Sequence, residues 1–185
     1  GNALLAILGA DMIQRDSLPH KTVVSTIMAN GGLQRALEPY EGKVLHTKVG
    51  DRYVVDAMKS GGMTLGGESS GHLILLDHNT TGDALIAALQ VLATMIRRER
   101  SLGDLGKLYQ PMPEAHKNVP LNGHAPSKEK LDKVIAKAEA ALEGKGRVVI
   151  RPSGTEPLIR IMVQHDYQNA AEALVEELAA EIKAL

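Results

Sequence analysis

Three short runs rich in β-branched and aliphatic residues recur in the first half of the chain: KTVVSTIM at 21–28, KVLHTKV at 43–49 and HLILL at 72–76. Stretches with helical spacing lie between and after them, opening at LQRALEPY, at DRYVVDAMKS (51–60) and over 81–100. Strands that alternate with helices need a crossover between each strand and the next. The first half is therefore expected to be α/β, a three-layer domain whose mostly parallel or mixed sheet is covered on both faces. HLILL shows no polar alternation, as suits a strand buried on both sides. The opening GNALLAILGADMIQRD reads as an amphipathic helix. In the long helix, Leu85, Leu89, Leu92 and Ile96 form an apolar stripe expected to face the core. Thr80 or Thr81 stands near its cap, and Arg97, Arg98 and Arg100 stand at its end, where the helix dipole favours cations.

The rhythm breaks at YQPMPEAHKNVPLNGHAP, 109–126, where prolines alternate with turn formers. A linker is expected at 109–114, between one domain at 1–108 and another at 115–185 that begins with a short strand near 116–121. Beyond it, Ser127 caps a helix with Leu131, Val134, Ile135, Ala138 and Leu142 on one side. RVVI (147–150) and LIRIMV (158–163) follow as neighbouring strands, and a closing helix carries Leu174, Leu178, Ile182 and Leu185. That order of elements predicts a small α+β domain with an antiparallel sheet.

Composition narrows the function classes. With no Phe, no Trp and only 4 Tyr among 185 residues, the core must be aliphatic. The absence of cysteine excludes disulfides, thiolate metal sites and a Cys nucleophile, and fits a cytoplasmic setting. A net charge of −1 without a basic stripe argues against nucleic acid as a partner. No apolar run approaches the roughly 20 residues that span a bilayer. The start carries no basic leader and is not Met, so no secretion signal is expected and the chain reads as a piece of something longer.

Two loops hold the chemistry. In GGESSGH (66–72), Gly66, Gly67 and Gly71 permit positive φ or close backbone approach. Glu68 offers acceptors, Ser69 and Ser70 offer donor and acceptor, and His72 adds a ring nitrogen, an inventory that suits a polyhydroxyl ligand. The same residues also suit a glycine-rich turn facing water. In RPSGTEPLIR (151–160), Arg151 can grip two phosphate oxygens, Ser153 and Thr155 supply hydroxyls, and Gly154 permits a turn of convergent amides. Pro152 and Pro157 stiffen that loop, and Arg160 on the following strand faces either the site or solvent. A proline-braced hairpin is the plainer alternative, but donors without a nearby acceptor cluster favour phosphate. In KVGDRYV (48–54), Asp51 is expected to be the N-cap of its helix, with a ligand role for Arg52 open. Asp77, His78 and Asp83 read as turn and cap residues. His20, His46, His116, His124 and His165 are scattered, each read as surface or satisfied core, and no metal-ligand spacing emerges.

Taken in order, VGDRYV, GGESSGH, LLDHNTTGDALIAALQVLATM and RPSGTEPLIRIMV resemble the C-terminal half of the α-D-phosphohexomutase family, with NTTGD and SGTEPLIR similar to its glucosamine branch. The resemblance implies the third and fourth domains of a four-domain isomerase, with Glu68, Ser70 and His72 reading sugar hydroxyls and Arg151, Ser153, Gly154 and Thr155 holding phosphate. It implies exchange of phosphate between the 6 and 1 positions of glucosamine through glucosamine 1,6-bisphosphate. It also implies a phosphoserine loop and a Mg2+ loop in the missing N-terminal domains. Neither loop is in this chain, which is therefore expected to be inactive alone. A free-standing sugar-phosphate-binding module, or a relative acting on mannose or glucose phosphates, are the other readings the resemblance leaves open. All of them require a hydroxyl grip and an anion grip that serve one ligand.

Overall fold

A computed structural model describes residues 1–121 and 126–185, which divide into two compact units, Gly1–Pro111 and Met112–Leu185. His124 and the 122–125 part of the proline-rich stretch lie outside the described residues.

The first unit contains α1 (Asn2–Gln14), β1 (Thr22–Thr26), α2 (Gly32–Leu37), β2 (Lys43–Thr47), α3 (Asp51–Gly61), β3 (Leu65–Gly67), β4 (Leu73–Leu75), α4 (Ala84–Arg98) and α5 (Leu102–Gly106). Its sheet has the order β2-β1-β3-β4, with β1 parallel to both β2 and β3, and β4 antiparallel to β3. Side-chain alternation makes the layers. Val23, Leu65, Leu73 and Leu75 pack into the cluster built on α1, α2 and α4, whereas Val24 and Ile74 join Val54 and Met58 of α3 on the opposite face. The expected three-layer mixed α/β domain is the architecture observed.

Three local expectations fail, for identifiable reasons. α1 is not amphipathic: every residue from Leu5 to Ile13 is buried, because α2, α4, α5 and the sheet enclose it. Its one charged residue, Asp11, is only 2% exposed and accepts from Arg15 (2.9 Å), Arg97 (2.6 Å) and Arg98 (2.9 Å). Burial pushes that carboxyl up, but the hydrogen bonds from Arg97, Arg15 and Arg98 outweigh it and hold the group below the usual carboxylate range. The arginines at the end of α4 thus have a specific partner as well as a dipole. Second, the long helix is capped by Asp83, whose side chain accepts from the amides of Leu85 and Ile86, and not by Thr80 or Thr81. Third, α4 turns its small residues inward. Ala87, Val91 and Thr94 are buried, while Leu85, Leu89, Leu92 and Ile96, the stripe expected in the core, are 77%, 62%, 52% and 78% exposed. A helix that is apolar on two faces can seat either one. The face that packs against α1 is the one with the small side chains.

The second unit contains β5 (Glu114–Pro120), α6 (Lys128–Leu142), β6 (Gly146–Pro152), β7 (Leu158–His165) and α7 (Gln168–Lys183). Its antiparallel sheet has the order β5-β7-β6, and α6 and α7 close one aliphatic cluster around Ile159, Ile161 and Val163. Ser127 caps α6 through the Lys130 amide as expected. In α7 the buried face is Ala171, Val175, Leu178, Ala179 and Ile182, with Leu174 partly buried and Leu185 exposed.

Candidate functional site

GGESSGH is not a loop in front of a lone strand. Gly66 and Gly67 are themselves β3, and residues 68–72 form the turn to β4, with the Glu68 amide on His72 O (2.9 Å) and the Gly71 amide on Glu68 O (3.0 Å). Neither strand glycine has a positive φ. They are glycines because a Cβ at Gly66 would sit 2.5 Å from Met58 Sδ and 2.9 Å from Val24 O, and one at Gly67 would strike His72 O. Gly71 alone, at φ +104°, uses the freedom expected of all three. The base of the turn is pinned by buried Ser25, whose hydroxyl donates to Gly67 O at 2.7 Å.

That turn faces the start of α3. Gly50, at φ +126°, is the N-cap, so Asp51 is the first residue inside the helix and not the cap. The freed Gly50 amide donates to Glu68 Oε1 at 3.0 Å, which fixes the carboxylate and leaves Oε2 without a partner among the described residues. Asp51 Oδ2 lies 3.6 Å from His72 Nε2, and the His72 ring covers Gly82, where a Cβ would come within 2.6 Å of Cε1 and 2.8 Å of Cδ2. Ser69 and Ser70 are exposed at the tip. Glu68, His72 and Asp51 are therefore brought together with Ser70 beside them. Arg52 holds its guanidinium over the Tyr53 ring at 5.0 Å. The Gly50 amide, the Gly82 platform and the Ser25 anchor escape sequence reasoning, because each depends on where the fold brings a backbone group, which no residue pattern reveals.

In the second unit, residues 153–157 are the hairpin loop between β6 and β7. Arg151 and Arg160 are direct cross-strand partners, which puts both side chains on one face. Arg160 is neutralised by Glu156 at 2.7 Å. Arg151 has no hydrogen-bond or ion-pair partner among the described residues, and its Nε is buried. The expected ring of convergent amides is incomplete, because the Ser153 amide is used by Leu158 O at 2.8 Å. The Thr155 amide leans on Ser153 Oγ at 3.5 Å. Gly154 lacks a positive φ and has open space where a Cβ would go, so nothing among the described residues requires a glycine there. Arginine side chains, more than backbone, supply the positive charge of this loop.

Known proteins match this architecture unit by unit. Residues 1–112 fit the family model described as phosphoglucomutase/phosphomannomutase, alpha/beta/alpha domain III, and residues 108–181 fit that of the C-terminal domain. The chain belongs to the phosphohexomutase family. It is 46% identical over 185 residues to a phosphoglucosamine mutase of Anaeromyxobacter dehalogenans, covering 99% of this chain and 40% of that protein. The chain thus spans about two fifths of the length of the curated relatives it matches. The crystal structure of Aspergillus fumigatus N-acetylphosphoglucosamine mutase in complex with GlcNAc-6P and magnesium shares the fold, with a TM-score of 0.79 at 18% identity over 100% of this chain and 43% of that one. A point-substituted variant of that fungal enzyme in complex with glucose 1,6-bisphosphate gives 0.76 at 17% identity over the same shares of the two chains. Among the described residues of this phosphohexomutase chain, no three His, Cys, Asp or Glu gather as a metal-binding group, and no helix is long and apolar enough to cross a membrane.

Proposed function

We propose that this chain is the sugar- and phosphate-recognition half of a cytoplasmic phosphoglucosamine mutase, which interconverts glucosamine 6-phosphate and glucosamine 1-phosphate through the 1,6-bisphosphate. Glu68 accepts from sugar hydroxyls through Oε2 while Gly50 holds Oε1. Ser70 adds a donor at the exposed tip, and His72 braces the turn against Gly82 with Asp51 beside its ring. Arg151 binds the phosphate that is not reacting, with Ser153 and Thr155 adding hydroxyls, and Gly154 leaves room for the anion to come close.

One observation carries the anion half of this reading. Two arginines stand directly opposite on one sheet face, and only one of them is paired with a carboxylate. Like charges so placed repel each other. A dianion between them removes that cost and makes charge-assisted hydrogen bonds, each contributing about 1.5–3 kcal/mol. The glucosamine assignment is supported by the name of the 46% identical relative, a phosphoglucosamine mutase.

Phosphoryl transfer needs a donor, an in-line approach and cationic charge near the transferring group. This chain contributes positioning, and in our reading the phosphoserine and the magnesium site belong to the preceding domains. A longer chain that includes those preceding domains is expected to turn over glucosamine 6-phosphate in preference to mannose and glucose phosphates, with the 185-residue chain silent on all three. A longer chain that is inactive on the amino sugar but active on another hexose phosphate overturns the glucosamine assignment and leaves the family intact.

A further inference from the structure

A cavity of about 230 Å³ opens in the first unit between the end of α1, Tyr40 in the short turn after α2, the end of α4 and α5. None of the residues of the 66–72 turn lines it, and neither does Asp51. Two carboxylates do, and both are already occupied. Asp11 accepts from Arg15, Arg97 and Arg98. Asp104 accepts from Lys107 through Oδ1 and from Ser101 through Oδ2, each at 2.7 Å. The Asp104 carboxyl is held below the usual carboxylate range, by the Lys107 and Ser101 hydrogen bonds first and by the charge of Arg100 as well. With Arg100, which also lines the cavity, five cationic side chains stand against two carboxylates. The carbonyl ends of α1 and α4 add roughly half a negative charge each, which still leaves the cations in excess.

What is left over in the cavity is mostly donors. Arg98 uses Nε and Nη2 on Asp11, and its Nη1 remains. Among the described residues, no hydrogen bond or ion pair occupies the Arg100 guanidinium, the Tyr40 hydroxyl or the Gln14 amide, and all three line the same space. Donors that approach from the ends of three separate elements suit a tetrahedral anion, which accepts in several directions, better than a planar carboxylate. The volume is below the roughly 300 Å³ at which sites for drug-sized ligands begin, and it admits phosphate with at most a short organic tail. We infer that this cavity of the first unit binds a small dianion, inorganic phosphate or a phosphate monoester, at a site distinct from the 153–157 loop.

The test uses the 185-residue chain carrying Arg151→Ala, so that the anion grip proposed for the second unit is removed and the cavity is read by itself. Inorganic phosphate and glycerol 1-phosphate are titrated separately by calorimetry at low ionic strength, where screening is weak. One saturable site per chain is expected. Adding Arg100→Gln should weaken it at least tenfold and adding Tyr40→Phe several-fold, whereas Lys59→Gln, at an exposed cation on α3 outside the cavity, should change it less than twofold. Arg100 is exposed and unpaired, and Tyr40→Phe keeps the ring, so neither variant threatens the fold. Tighter binding of the ester assigns the site to a phosphorylated metabolite, and tighter binding of inorganic phosphate assigns it to the free ion. Absence of saturable binding overturns the inference, and so does binding that Lys59→Gln weakens as much as Arg100→Gln. Neither sugar binding nor turnover is measured, so this outcome is separate from that of the substrate assays.

Discussion

At the scale of single residues, the two loops make opposite demands on glycine and on charge. Gly66 is a packing glycine, wedged between Met58, Val54 and the β1 backbone. Gly66→Ala overpacks that junction and is expected to lower stability by about 1–3 kcal/mol in urea denaturation, with the slope of the transition unchanged. Gly154 has open space around it, so Gly154→Ala is expected to leave stability alone. Arg151 is the sharper test. With glucosamine 6-phosphate titrated calorimetrically into the longer chain, Arg151→Ala is expected to weaken binding tenfold or more, and Arg151→Lys to recover part of it, since a point charge lacks the two-pronged grip. Unchanged affinity for the alanine variant removes the phosphate assignment. Gly82→Ala, in turn, pushes the His72 ring off its platform and should weaken sugar binding while the thermal midpoint barely moves.

Elements show where a sequence speaks and where it does not. The strands KTVVST, KVLHT and HLILL, the Ser127 cap and the antiparallel pair 147–150 and 158–163 were legible because β-branched runs and capping residues act locally. β3 was not, because a three-residue strand ending in two glycines carries no strand propensity and exists only through its neighbours β1 and β4. The orientation of α4 was not legible either, since a helix apolar on two sides leaves periodicity silent about which side is inside. Asp11 belongs to this scale too, as the tie between α1 and the end of α4. Asp11→Asn leaves three arginines facing a neutral amide and is expected to cost about 2–4 kcal/mol, less than a fully buried pair because the arginine side chains are about a third exposed. The carboxyl is depressed in the folded state, so its contribution is present above the unfolded value of about 3.9 and is lost as pH falls through the folded value. The gap between parent and variant should therefore stay constant from neutral pH to about 5 and close below about 4, as read by denaturant midpoints across that range.

The whole molecule has two cores, each carrying one of the two proposed grips, and the cores bear on how those loops are held. Ile159, Ile161 and Val163 on the central strand β7 pack with residues of β5, α6, β6 and α7. The strand that carries Arg160 is therefore the central strand of its sheet, and the 153–157 loop hangs from the β6–β7 hairpin. A grip mounted on a loose element would lose affinity to the entropy of ordering it, so on the proposed reading rigidity here serves binding as well as folding. Met112–Leu185 made as a separate chain should fold on this core and melt in a single cooperative step. So small a domain has only a few kcal/mol to spare, and Ile161→Ala, at a position 1% exposed, removes about 2–4 kcal/mol of it. The parent piece should give a sigmoidal far-ultraviolet circular dichroism melt and retain inorganic phosphate binding through Arg151, whereas the Ile161→Ala piece should show no transition and no binding. A parent piece that melts without cooperativity, or an alanine variant as stable as the parent, would mean that the aliphatic cluster around β7 is not what holds the anion loop in shape.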